Sequence, residues 1–283
     1  MPDHEIECAV DFNLNDDSQS ISALIHRMAG ILGDLESPWH LDLSKCHYFG
    51  PDTVAIVISA VLESRRRGQV SRVTLPVGPP PLAAFCEFSG LRHFLNGSAL
   101  PNAENPENNT LAARVITKAR TNDADPIALL VGSYVTMTDE TAEYLRMCVN
   151  EVIQNVEDHS KSAIGAILSA RYLQNRGEVR VAIVDRGVGI ATTLKERFPR
   201  LADSKLALQR VILGGSSAKS KSNNMGQGIS NLFAIVAKNF KGNIFILSED
   251  AYIGADSGII NLLAKPLKTR FPGTGAFFTI PVT

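Results

Sequence analysis

The chain has 283 residues, of which 45% are hydrophobic and 20% charged, with a formal net charge of -1 and a pI near 6.6. That describes a globular chain long enough for two domains, with no general charge attraction to nucleic acid or to an anionic membrane. Four scattered cysteines without a CxxC pair, and no clustered histidines, signal neither a disulfide framework nor a zinc site, so a cytoplasmic location is expected.

Residues 6–12 alternate like a short strand, and 20–35 place Ile21, Leu24, Ile25, Met28, Ile31 and Leu32 at helical spacing. The strand-like HLDLSKCHYF follows, then Gly50-Pro51-Asp52 opening a helix over 53–67, whose basic Arg65-Arg66-Arg67 end suits solvent and which Gly68 ends. The apolar run 54–62 is too short to span a bilayer, and MPDHEIE lacks the basic and apolar regions of a signal peptide. A strand over 71–77 and a helix over 82–95 complete a small α/β unit, with a domain expected over 1–95. His26, His40, His47 and His93 lack partners at ligand spacing and are expected to be structural or surface residues.

In its order of elements and in LDLSKCHYFGPDTVAIVISAVL, this unit resembles a STAS domain, the fold of anti-sigma-factor antagonists. That family carries a phosphorylatable serine in the turn before the helix. Here Pro51 falls about where the serine would sit, leaving Thr53 as the substitute acceptor to consider.

Residues 96–110, rich in Asn, Pro and Gly, have little to bury and are expected to form a linker. A second domain is expected over 111–283. It opens with strands predicted over 112–118 and 127–134, and then a helix that starts at Thr138 and contains NEVIQNVEDHS. Helical spacing puts Glu151 and Asn155 on one face, with Asp158 and His159 one turn further along it. The apolar Val149, Val152, Ile153 and Val156 lie between them, which would seat these polar groups against a core, where a magnesium ion carrying a polyphosphate would satisfy them. A solvated helix edge has the same pattern.

Strands over 162–174 and 177–184 are joined across Asn175-Arg176-Gly177, a hairpin signal. The second runs into Asp185-Arg186-Gly187-Val188-Gly189, where a carboxylate could accept from an exocyclic amine and the glycines could admit a flat ring. DxGxG strings are also common in ordinary turns. Residues 191–225 form a long polar segment with two short helices predicted in it, the kind of loop that is either a lid or unstructured. It leads through Lys219 and Lys221 to Gly226-Gln227-Gly228 and a helix over 229–239. Glycines opening a helix offer backbone N–H groups to phosphate, and the lysines could reach a terminal phosphate or simply lie in solvent. The chain closes with a strand over 243–248, an irregular insertion, and a Gly273-Thr274-Gly275 turn into a last strand.

Taken in order, these elements resemble the GHKL ATPase family of gyrase, the large heat-shock chaperone, mismatch-repair ATPases, histidine kinases and anti-sigma serine kinases. Glu151 and Asn155 match its N box, Asp185, Gly187 and Gly189 its first glycine box, Gly226 and Gly228 its second, and Gly273 with Thr274 its last. The resemblance implies a two-layer α/β sandwich of the Bergerat type, a mixed sheet with helices on one face and ATP beneath a lid. It implies that Asn155 ligates magnesium, Glu151 is catalytic, Asp185 and Thr274 take the adenine, and Gly226, Gln227 and Gly228 cradle phosphates, with Asp158, His159, Lys219 and Lys221 near the nucleotide.

A glutamate at 151, and the lack of a phosphoacceptor helix around His26, point away from an orthodox histidine kinase. Three readings stay open: an anti-sigma-type serine/threonine kinase acting on a protein partner, a slow ATPase clamp that homodimerises with ATP, and an ATP sensor.

Overall fold

The structure is a computed structural model, and it describes residues 4–7, 25–26, 37–48, 50–78, 80–98, 109–201, 203–213, 227–256 and 259–282. The chain is an α/β protein built on two sheets. Strands β1 (His4–Glu7), β2 (Trp39–Asp42) and β3 (Ser71–Thr74) form a parallel sheet in that order. Between β2 and β3 runs helix α1 (Pro51–Arg66), and after β3 come α2 (Pro80–Phe88) and α3 (Leu91–Asn96). The helix expected over 82–95 is thus two, parted at Ser89 and Gly90, where Gly90 takes a left-handed φ of 76°. Of the helix expected over 20–35, only residues 25–26 lie among those described, and they are helical.

The second sheet has the order β4-β5-β6-β8-β7. Its strands are β4 (Thr110–Ile116), β5 (Ala166–Leu173), β6 (Glu178–Asp185), β7 (Asn243–Asp256) and β8 (Ile259–Pro281). Every pairing in it is antiparallel, so the expectation of a mixed sheet fails. The physical reason is connectivity: β5 and β6 form one hairpin and β7 and β8 another, longer one that absorbs the irregular insertion.

One inner-face element also differs. Asp125–Gly132 is a helix, α4, where a strand over 127–134 was expected. Ile127, Ala128 and Val131 are its buried residues, a spacing a short strand cannot satisfy, and Pro126 opens the helix at its first turn. Helix α5 (Asp139–Asn155) begins as expected, with the Thr138 hydroxyl accepting from the Thr141 N–H at 3.2 Å. Helices α6 (Ile190–Arg197), α7 (Ser204–Ile212) and α8 (Gly228–Ala234) follow on the same side. The two short helices predicted in the polar segment are α6 and α7.

Helix α1 decides the architecture. Its residues from Pro51 to Val61 are all buried, on every side, as a helix must be when it lies between two packed surfaces. Val54, Ile56, Val57 and Ile58 join one apolar cluster with Leu41 and Leu43 on one hand and with Ile167, Ala182, Val184 and Phe277 of the large sheet on the other. Each such side chain contributes about 1.5–3 kcal/mol through burial. The large sheet is therefore covered on both faces, by α1 outside and by α5, α7 and α8 inside. Within the second unit the helices lie on one face of the sheet; the other face is covered by α1 of the first unit, so the two units share a core.

Thr53 sits in the first turn of α1 and is 1% exposed. A kinase could not reach its hydroxyl in this fold.

Candidate functional site

A cleft opens between the inner face of the large sheet and its helices. Ile183 and Asp185 of β6, Ile246 of β7, and Thr274 and Ala276 of β8 form its floor. Val152, Asn155, Val156 and His159 form one wall, and Ile190, Thr193, Leu194, Val211 and Ile229 the other. Most of these are apolar, so the few polar groups stand out chemically.

Asp185 ends β6 with a side chain almost wholly removed from solvent. Its Oδ1 accepts from the Gly187 N–H at 2.7 Å. Burial pushes its carboxyl up from 3.8 to about 7, against the Gly187 and Thr274 N–H groups and the Ser160 hydroxyl, which favour the ionised form. A carboxyl held in this way is an acceptor kept ready at the bottom of an apolar slot.

The loop after Asp185 and the Gly273–Thr274 stretch of β8 are pressed together, so the expected turn before the last strand is part of the strand itself. Gly273 has φ 109°, and a Cβ there would stand 2.2 Å from the Asp185 carbonyl oxygen, so only glycine lets Thr274 close over β6. The fastening is Ser248, which is fully buried on β7. Its Oγ donates to the Gly273 carbonyl at 3.0 Å, accepts from the Ile190 N–H at 2.8 Å and lies 3.2 Å from the Thr274 hydroxyl. Sequence reasoning missed Ser248. The available signal was a lone hydroxyl in the apolar run NIFIL-Ser, a polar group that burial obliges to find partners.

Next to it, Glu249 has a left-handed φ of 56° at a break in strand register. That turns its nearly buried carboxylate towards α6, where it accepts from the Thr192 N–H at 3.1 Å and the Thr192 hydroxyl at 2.9 Å. This joins the start of the long polar segment to the sheet.

The N-box residues divide. Helix α5 passes at Val156 into a wider, π-type turn that runs to Ser160. The widening changes which residues face the cleft. Asn155 and His159 line it, but Asp158 is exposed and accepts from the Gln154 side chain at 3.0 Å. The expectation that Asp158 shares their face fails for that reason. Glu151 stands outside the cleft lining, against the start of α8: a Cβ on Gly228 would lie 2.4 Å from Glu151 Cβ and 3.0 Å from its Oε2. Glycine at 228 is what lets the α8 N-terminus settle on this carboxylate. Gln227 is exposed and its carbonyl accepts from the Asn231 N–H at 2.7 Å. Gly187 lies beside the π turn, where the Val188 N–H donates to the Ser160 carbonyl at 2.7 Å, and Gly189 caps α6. Lys219, Lys221 and Gly226 lie outside the described residues.

Asn150 braces the fold: its side chain accepts from the Ala124 N–H at 3.0 Å and donates to the Thr121 carbonyl at 2.6 Å, which fixes the entry to α4. Among the described residues no group of three His, Cys, Asp or Glu side chains could hold a metal, and no helix is long and apolar enough to cross a membrane. Neither a protein-family model nor a curated protein matches the chain.

Proposed function

We propose that the chain is a magnesium-ATP-binding regulatory protein with a GHKL-type site, and that it acts as a serine/threonine kinase on a protein partner. The observation that carries this reading is the Asp185 carboxyl, buried at the floor of an apolar cleft beside Thr274 and held by the Gly187 N–H. A flat base with an exocyclic amine would satisfy an acceptor in such a slot.

The residues present fit the nucleotide and the metal. Asn155 lines the cleft and offers a side-chain carbonyl oxygen, a ligand type that magnesium accepts. Glycine at 228 lets the first turn of α8 pack directly against Glu151, where a Cβ would come within 2.4 Å of the Glu151 Cβ. ATP would supply a transferable phosphoryl group and magnesium would offset its charge. Glu151 would take the proton of the acceptor hydroxyl, Asp185 and Thr274 would orient the base, and Ile190 and Leu194 would keep water from it. The exposed Asp158 has no part in this assignment.

The first unit has the parallel strand–helix–strand order of a STAS-like module. We infer that it serves as a recognition surface for the partner and is not modified at Thr53, which is buried. Buried cysteines at 46, 86 and 148 suit a reducing cytoplasm, and no nucleic-acid contact is expected.

The test is incubation with magnesium and ATP labelled on its terminal phosphate, alongside Glu151→Ala and Asp185→Asn. Label on a Ser or Thr of a partner, lost in both variants while Glu151→Ala keeps affinity within a few-fold, is expected. Free phosphate without labelled protein would replace the kinase with an ATPase clamp, and binding without turnover would leave a sensor. Absence of binding would overturn the nucleotide reading itself.

A further inference from the structure

A second cavity, of about 530 Å³, lies away from the cleft, where the first unit meets the large sheet. Tyr48 and Leu82 of the first unit and Asn109, Arg171, Leu173 and Gln174 of the second line it. Arg171 points from β5 to the outer face of the sheet and lays its guanidinium over the Phe85 ring, 4.4 Å from the centroid. Among the described residues it has no ion-pair partner, and its Nε is buried without a hydrogen bond. The Tyr48 hydroxyl is in the same position, shielded from solvent with no partner among those residues. Two polar groups in one cavity are thus withheld from water and left unanswered, which a fold tolerates when something else answers them.

The charge around Tyr48 is positive on balance. Tyr48 feels Arg171, Arg176 and Arg180 against the single carboxylate of Asp52. Arg180 is already committed to Glu178 at 2.6 Å, and of these three arginines it is Arg171 that lines the cavity. Burial disfavours its charge and lowers its proton affinity, a cost that an anion would offset. A guanidinium stacked on an aromatic ring presents its edge, with its paired N–H groups, to an oxyanion.

We propose that this cavity is a binding site for a small oxyanion, a phosphate or carboxylate group, held by Arg171 and the Tyr48 hydroxyl with Asn109 and Gln174 at its rim. The site is separate from the nucleotide cleft, on the other face of the sheet, and does not depend on what the cleft binds.

Inorganic phosphate and citrate, titrated in separate calorimetric experiments into the full-length chain, would test it. A magnesium–ATP analogue would be present throughout, so that a phosphate subsite in the cleft does not contribute. Binding of either oxyanion is expected, weakened at least about tenfold in Arg171→Gln, partly restored in Arg171→Lys and weakened several-fold in Tyr48→Phe. Citrate alone would identify a carboxylate guest, and phosphate a phosphoryl one. Tyr48→Phe removes one oxygen only, so the test stands even if the arginine variants fail to fold. Binding unchanged in Tyr48→Phe and Arg171→Gln, or no binding of either probe up to ~10 mM, would overturn the proposal.

Discussion

Replacing Asp185 with asparagine separates what this carboxyl costs the fold from what it does for a ligand. Burial raises its proton affinity from 3.8 to about 7. At about 1.4 kcal/mol for each tenfold change, keeping it ionised costs the folded state about 4 kcal/mol, an upper figure because relaxation and water reduce it. The sign follows from proton counting. Below pH 4 the carboxyl is protonated folded and unfolded alike; between 4 and 7 the folded form holds a proton that the unfolded form has released. Stability therefore falls as pH rises through this window and is level above it. Asparagine keeps an oxygen for the Gly187 N–H but cannot ionise, and its NH2 cannot accept from Thr274, a fixed loss of about 1–3 kcal/mol. Denaturant unfolding of both proteins from pH 4 to 8 should show the variant gaining on the wild type by up to about 4 kcal/mol as pH rises. At pH 8 the same variant should bind an ATP analogue about 10- to 100-fold more weakly. A stability difference that does not move with pH would refute the account of Asp185, whatever the binding result.

Gly228→Ala should displace α8 from Glu151, costing about 1–3 kcal/mol in thermal unfolding and lowering both nucleotide affinity and turnover, since its Cβ meets backbone-anchored atoms at 2.4 Å. Thr53→Asp should destabilise the chain by several kcal/mol, because a carboxylate would enter a site that is 1% exposed; mass spectrometry after incubation with ATP should find no phosphate on Thr53.

The parts of the site set by local chemistry were legible in the sequence. Asp185 at a strand end and Thr138 as a helix cap declare themselves through backbone needs that few other residues meet, whereas Gly273, expected in a turn before the last strand, lies within β8. What was not legible depends on partners distant in the chain. The π turn after Asn155, which carries Asp158 away from the cleft, is invisible to a 3.6-residue periodicity. Ser248 acquires its meaning only from Gly273 and Ile190, 25 and 58 residues away. The reading of 127–134 as a strand failed because a short apolar run fits helix and strand equally until its neighbours are known. The covering of the outer sheet face was hidden for another reason: the residues of α1 read as a buried helix, and nothing local says how many surfaces bury it.

That helix changes what severing the chain would do. Residues 99–108 join the first unit to the second, yet Val54, Ile56 and Val57 share one apolar cluster with residues of both sheets. A protease cut there would yield two peptides and one particle. Neither peptide could leave without stripping an apolar face to water, so the pair would migrate together under native conditions and part only in denaturant.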